Sequence, residues 1–142
     1  MKKISTILGI ILILIGIILA FSYAQLPYRN GVYSGKSQAH YTNEPYVGNV
    51  SIEIKKGTIT NVKFSIMDTA RNEIFNEKYE KHFEGNNLYM QQCRNDWKGV
   101  QTYPGILLKT QNIEKVDAVS GATWSNNIFK ASVRKALEAT QK

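Results

Sequence analysis

The segment VDAVSGATWSNN, residues 116–127, holds the residues best suited to chemistry in this chain. It places two hydroxyl side chains, Ser120 and Thr123, on either side of Gly121 and Ala122, directly before the last predicted helix. The first turn of a helix has unpaired N–H groups and a partial positive charge, which together attract a phosphate group. Small residues let a phosphate approach the backbone, and a threonine hydroxyl there could hydrogen-bond to it or become esterified to it.

A structural role for the same residues stays open. Thr123 or Ser125 would then accept hydrogen bonds from the first free N–H groups of the helix, and Gly121 would relieve a tight turn. On residue types alone, this helix cap is the commoner use of such a turn. The segment therefore predicts either a cap or an anion site at the start of the last helix.

Two other patterns carry less weight. Ser132-Val-Arg-Lys135 has the S-x-x-K spacing of serine enzymes that react with penicillin. We expect no hydrolase, because Ser132 would lie inside the predicted helix and no S-D-N or K-T-G sequence follows. A metal site that combines His40, His82 and Asp68 is not expected either, because the two histidines are at no ligand spacing.

The first 24 residues differ in composition from the rest of the chain. Lys2 and Lys3 precede an uncharged run from Ile4 to Ala24, which as a helix is about 30 Å long and matches the core of a bilayer. This predicts a transmembrane anchor in the lipid bilayer, with residues 25–30 as a linker and the domain 31–142 on the extracytoplasmic side. A secretory signal peptide is the alternative, since Ser22-Tyr23-Ala24 could serve as a cleavage site.

Composition narrows the possible partners of this exported domain. The chain of 142 residues has a formal net charge of +7, but its charges are interleaved through residues 73–82 rather than gathered in a basic stripe. We therefore expect no nucleic acid partner. Cys93 is the only cysteine, so it cannot form an intrachain disulfide, and we expect a small, partly buried apolar side chain.

Apolar and polar residues alternate in two segments that predict an antiparallel hairpin. Val50–Ile54 and Val62–Ile66 each show the period of two that a one-sided strand requires, and Lys55-Lys-Gly57 between them is a turn signal. An earlier strand is expected over Gly31–Ser37, with glycines that permit close backbone approach.

Helical patterns follow the hairpin. Residues 68–83 are expected to be partly helical and loosely docked through Ile74, Tyr79 and Phe83, residues 84–104 to form an irregular loop, and residues 104–111 to form a short helix. An amphipathic helix is predicted from about Trp124 to Ala139. The expected fold class is α+β: a small antiparallel sheet with the C-terminal helix packed on it, preceded by the transmembrane helix.

The segment from Asp117 to Thr123 matches the D-x-x-[ST]-G-A-[TS] flavinylation motif, so the chain resembles the FMN-binding domain family. Relatives in that family include flavin subunits of sodium-pumping quinone reductases and of Rnf-type complexes. Gly31-Val-Tyr-Ser-Gly35 is similar to the family's opening G-x-Y-x-G, and the hairpin is similar to its central one. The segment 68–111 departs from the pattern.

The resemblance implies that FMN is the cofactor. A flavin transferase that depends on magnesium would move FMN from FAD onto the hydroxyl of Thr123, where it forms a phosphoester. Activation of the hydroxyl would come from that enzyme, so no neighbouring base is required. The cofactor-binding residues implied by the motif and its surroundings are Asp117, Ser120, Gly121, Ala122, Thr123, Trp124 and Ser125. Trp124 could stack on the flavin ring or simply pack in the core.

The same resemblance implies an electron carrier rather than a stand-alone catalyst. The carrier would relay electrons from a membrane donor to an extracytoplasmic acceptor, and no nicotinamide-binding G-x-G-x-x-G is present in the chain. Two alternatives stay open: a domain that binds FMN without a covalent link and reduces a small substrate, and a membrane-tethered adaptor without a cofactor.

Overall fold

Four strands form one antiparallel sheet in sequence order. The computed structural model describes residues 28–38 and 44–141, so the predicted anchor and most of the linker lie outside it. The strands are β1 (Gly31–Gln38), β2 (Tyr46–Lys55), β3 (Thr58–Asp68) and β4 (Glu73–Ile74). Two α-helices, α1 (Asn87–Thr110) and α2 (Thr123–Glu138), pack on the sheet, and short 3-10 helices span Tyr79–Phe83 and Ile113–Lys115. The α+β class is confirmed, and within the described ranges no helix is long and apolar enough to cross a membrane.

The predicted hairpin is confirmed. Along β2, the buried side chains of Val50, Ile52 and Ile54 alternate with partly exposed ones, and this face carries the core. Lys56 and Gly57 make the turn, both with positive φ. The register shifts by one residue between Glu53 and Ile54, which is a β-bulge near the turn.

Helix α2 packs on β1 and β2 and confirms the predicted C-terminal helix. Its buried residues include Ile128, Phe129, Val133 and Ala136. The contact with β1 depends on Gly35, because a Cβ atom there would collide with the carbonyl oxygen of Ser132. The expectation that glycines in this strand permit close backbone approach is therefore confirmed at Gly35.

The irregular loop predicted for residues 84–104 is wrong. These residues form most of α1, a helix of 24 residues that includes Pro104 and absorbs the short helix predicted over residues 104–111. Its buried residues recur three or four positions apart, as helix packing requires. They are Cys93, Asp96, Val100, Tyr103 and Leu107, and Gly99 is buried beside them. The buried Asp and Tyr hide this period in a sequence otherwise rich in polar residues.

The segment between β3 and α1 is only partly as predicted. It contains the short strand β4 and one 3-10 helix, and Tyr79 is buried as expected. Ile74 does not dock, since it is 46% exposed, and the neighbouring Phe75 is buried in its place. Phe75 and Tyr79 join Ile66, Val100 and Ile128 in a second apolar cluster, which lies against the start of α2.

Candidate functional site

The SGAT turn, residues 120–123, leads directly into α2. Gly121 has a φ of +75°, which confirms that the turn needs a residue tolerant of left-handed backbone geometry. A Cβ atom at this position would also lie 2.5 Å from Nδ2 of Asn95 on α1. Ser120 and Thr123 are exposed, whereas Ala122 is buried. The turn therefore presents two hydroxyl groups to solvent above a buried alanine.

The cap of α2 comes from another helix, so the expectation that Thr123 or Ser125 caps it is wrong. Ala122 is the N-cap residue and makes no side-chain cap hydrogen bond. Instead, Oδ1 of Asp96 on α1 accepts hydrogen bonds from the backbone N–H of Ser125, at 3.0 Å, and from its hydroxyl, at 2.8 Å. Asp96 is only 2% exposed, so this is a buried carboxylate at the positive end of a helix.

Two further side chains of α1 hold the carbonyl groups of the turn. Nε2 of Gln92 donates to the carbonyl oxygen of Gly121 at 2.8 Å and to Oδ2 of Asp96 at 2.6 Å. The hydroxyl of Tyr103 donates to the carbonyl oxygen of Ala122 at 2.7 Å. Burial raises the pKa of Tyr103, so this donor keeps its proton at neutral pH. The turn is thus fixed from one side by α1.

Thr123 has no structural role in this arrangement. Its side chain is exposed and makes no hydrogen bond within the described residues. The backbone N–H groups of Thr123 and Trp124 likewise have no hydrogen-bond acceptor among the described residues. The first turn of α2 therefore has two N–H groups available to an anion, beside a free hydroxyl. Asp117 is exposed a few residues before the turn.

A cleft of about 210 Å³ lies between the start of α2, the second apolar cluster and α1. Six aromatic side chains line it, together with Glu44 and with Gln92, Cys93 and Asp96 from α1. The aromatic residues are Tyr46, Phe75, Tyr79, Phe83, Tyr89 and Trp124. Gln92 and Asp96 also contact the turn, so the cleft and the turn are parts of one site.

Trp124 is half-buried and serves the core and the cleft together. Its ring meets Tyr46 edge-on, with centroids 5.0 Å apart, and Phe75 with centroids 5.4 Å apart. The indole N–H donates to Oε2 of Glu44 at 3.2 Å. The ring is therefore held in one orientation beside the cleft, immediately after Thr123.

Cys93 lies in the cleft wall as a buried thiol, which confirms the expected small apolar side chain. Burial, followed by the nearby charges of Asp96 and Glu80, raises its pKa to about 11. The thiol is therefore neutral at physiological pH and is a poor nucleophile.

The residues of the competing interpretations are engaged elsewhere. Ser132 is fully buried, and its hydroxyl donates to the carbonyl oxygen of Ile128 at 2.8 Å. His82 is paired with Glu73 at 2.8 Å, Asp68 bonds Tyr79 and Arg71, and His40 lies outside the described residues. No group of three or more metal-ligating side chains occurs in the ranges that the structure describes.

An aromatic cleft that adjoins a helix start with free N–H groups has the chemistry suited to a planar ring that carries a phosphate group. A family model described as the FMN-binding domain matches residues 44–138, which is more than half of the chain. The chain therefore belongs to the FMN-binding domain family, and its cofactor is FMN.

Two solved structures are similar to this chain, and the first of them shares its fold. The CPE2226 protein of Clostridium perfringens has 22% sequence identity and a TM-score of 0.57, over 80% of this chain and 89% of that one. A protein of Clostridium thermocellum, solved by solution NMR, has 18% identity and a TM-score of 0.48, over 80% of this chain and 93% of that one. No curated protein matches the chain significantly.

The residues present fit FMN. The phosphate group would meet the free N–H groups of Thr123 and Trp124, and the ring would meet the aromatic side chains of the cleft. Sequence reasoning placed the turn but missed the residues around it, chiefly Asp96, Gln92 and Tyr46. The spacing of residues 93, 96, 100, 103 and 107 is the signal that would have placed Asp96 on a buried helix face.

Proposed function

We propose that this protein is a membrane-anchored, extracytoplasmic flavoprotein that carries FMN on Thr123 and relays electrons. One observation carries the proposal: the hydroxyl of Thr123 is exposed and unused, on a turn that α1 holds rigidly beside an aromatic cleft. A residue that is not needed to cap its helix can be esterified without loss of a structural hydrogen bond.

Each part of the cofactor has residues suited to hold it. Esterification at Thr123 would keep the phosphate at the start of α2, where two N–H groups and the helix dipole favour an anion. Ser120, Gly121 and Ala122 would shape the turn that meets the transferase. Gln92 and Asp96 would keep that shape from behind.

The size of the cleft favours an attached cofactor. Pockets that enclose a whole small-molecule ligand usually exceed about 300 Å³. This cleft, at about 210 Å³, is smaller, which favours a ligand that is only partly enclosed. A ring held only partly enclosed gains from a covalent tether, because the tether raises its local concentration at the cleft.

The chemistry expected from FMN, when it is bound, is reversible electron transfer. The protein's own contribution is to place the ring against Trp124, Phe75 and Tyr46 and to exclude water from one side of it. The half-open cleft leaves the other side within reach of a partner. The neutral thiol of Cys93 would not attack the ring.

The partners follow from the same proposal. A flavin transferase that uses FAD and magnesium would load Thr123 and would supply the metal and the base, since no histidine of the described residues lies beside the turn. A membrane donor would pass electrons to the ring, and an extracytoplasmic acceptor would take them. The apolar run in residues 4–24 would anchor the domain to the bilayer.

Intact-protein mass spectrometry tests the proposal directly. The full chain is exported together with a flavin transferase and weighed, and peptide fragmentation then locates any added mass. We expect an increase equal to FMN less water, on the peptide that contains Thr123. An unmodified but yellow protein would point to FMN bound without a covalent link. A colourless one would overturn the assignment and favour a cofactor-free adaptor.

A further inference from the structure

A chain of hydrogen bonds runs from the aromatic cleft to a buried carboxylate. Tyr46 lines the cleft, and its hydroxyl lies 3.0 Å from the hydroxyl of Tyr79. Tyr79 in turn donates to Oδ2 of Asp68 through a short hydrogen bond. Asp68 is 0% exposed, and it also accepts hydrogen bonds from the guanidinium of Arg71 at 3.0 Å and from the N–H of Ala70 at 2.9 Å.

Asp68 is ionised at neutral pH. Burial alone would raise its pKa, but the hydrogen bonds from Tyr79, Arg71 and Ala70 together outweigh burial and lower the pKa to about 2. An ionised carboxylate has no proton to give and can only accept. Tyr79 must therefore be the donor in its hydrogen bond with Asp68.

This fixes the direction of the next hydrogen bond as well. A tyrosine hydroxyl has a single proton, and the proton of Tyr79 is already engaged in the hydrogen bond to Asp68. In the pair at 3.0 Å, Tyr46 must then donate to the oxygen of Tyr79. Tyr46 keeps only acceptor capacity, and no other described residue donates a hydrogen bond to its hydroxyl.

Such a chain is unsuited to carry protons between the cleft and the surface. A relay would need Asp68 to take up a proton, and its low pKa prevents this at neutral pH. The series of hydrogen bonds instead fixes which hydroxyl donates and which accepts. It leaves the hydroxyl of Tyr46, which could otherwise donate or accept, able only to accept.

We propose that the hydroxyl of Tyr46 is a fixed acceptor in the cleft and receives a hydrogen bond from the imide N–H of the flavin ring. The inference rests on the proposed function, in that it takes the ring to occupy this cleft. An oxidised flavin ring has one N–H group, the imide at N3, so it is the ring's only possible donor to Tyr46. The chain of hydroxyls would thus favour rings that carry this donor over rings that lack it.

Free ring binding tests the proposal separately from covalent loading. The full chain is produced without a transferase, kept in a mild detergent, and titrated with riboflavin and with 3-methylriboflavin, which lacks the imide N–H. Quenching of flavin fluorescence reports binding. One neutral hydrogen bond corresponds to about a fivefold change in affinity, so wild type should bind riboflavin about five times more tightly than the methylated ring.

Two variants separate the hydrogen bond from a steric effect of the methyl group. Tyr46→Phe keeps the aromatic ring and removes the acceptor, so the fivefold preference should fall to about one. Tyr33→Phe is the matched control, because Tyr33 lies on β1 and does not line the cleft, and its hydroxyl donates to the carbonyl oxygen of Asn30. In this variant the preference should persist. Thermal unfolding of each variant confirms that it is folded.

The remaining outcomes overturn the proposal. An equal preference in wild type and Tyr46→Phe would mean that the methyl group acts by size alone. No preference in wild type would mean that Tyr46 does not meet the imide. If the protein did not quench riboflavin fluorescence, the ring would not bind in the cleft. Attachment at Thr123 would still stand or fall on the mass measurement alone.

Discussion

Asp96 accepts two hydrogen bonds from Ser125, one from its backbone N–H at 3.0 Å and one from its hydroxyl at 2.8 Å. The pair joins α1 to the first turn of α2 and is buried on both sides. The helix that begins at Thr123 is therefore capped by a residue on the other helix rather than by its own neighbours.

Asp96→Ala should destabilise the domain by about 1–3 kcal/mol, because the N–H and hydroxyl of Ser125 would be left buried without an acceptor. Asp96→Asn keeps one carbonyl oxygen and should lose less. Urea unfolding of the protein without flavin measures both. Asp117→Ala, at an exposed aspartate, is the control and should change stability by less than about 0.5 kcal/mol. If Asp96→Ala were as stable as wild type, another group would have to cap α2.

Thr123→Ala should abolish covalent flavin and leave stability within about 0.5 kcal/mol of wild type, since Thr123 makes no cap hydrogen bond. Thr123→Ser restores a hydroxyl at the same position and should regain attachment. Intact mass and urea unfolding are measured on the same samples. Flavin retained by Thr123→Ala would place the link elsewhere, and Ser120 would be the next residue to test.

Gly121→Ala should cost about 1–2 kcal/mol, because alanine is strained at a φ of +75° and its Cβ would press on Asn95. The comparison is Gly105→Ala, in the exposed part of α1, where a Cβ meets nothing within 4 Å. That change should stabilise the helix by up to about 1 kcal/mol. Opposite signs in thermal unfolding would support the left-handed turn, whereas equal effects would contradict it.

The buried carboxylate of Asp68 should make the domain acid-sensitive. Its pKa is lowered from 3.8 to about 2 in the folded protein, so its stabilising effect is complete above about pH 5 and is lost as pH falls through 4 towards 2. The free energy of unfolding should fall more steeply over this range in wild type than in Asp68→Asn. Parallel curves for the two proteins would mean that Asp68 is not ionised in the fold.

The hairpin and the last helix could be predicted because their patterns are local, whereas the two-residue strand β4 was not predicted. Val50, Ile52 and Ile54 alternate with polar residues, and Phe129, Val133 and Ala136 repeat at helical spacing. In each case the buried side chains are also apolar, so hydropathy reports burial. The SGAT turn was found for a different reason, since its residue types match a known attachment motif.

Helix α1 could not be predicted in the same way. Two of its buried positions are taken by Asp96 and Tyr103, which hydrogen-bond to α2 and to the turn before it. Burial of these residues makes sense only once the partner helix is in place. Pro104 and two glycines, Gly99 and Gly105, lower its helical propensity further. Tertiary contacts therefore decide this helix, and with it the wall of the cleft.

The cross-helix cap also has a consequence for the order of events in the life of the protein. Asp96 and Ser125 are 29 positions apart in the chain, so the hydrogen bonds that cap α2 exist only while α1 is packed against it. Under the proposed function, a transferase would then recognise chains that have already folded and pass over those that have not. Attached flavin would then mark protein that has folded, whereas misfolded protein at the membrane would carry no FMN.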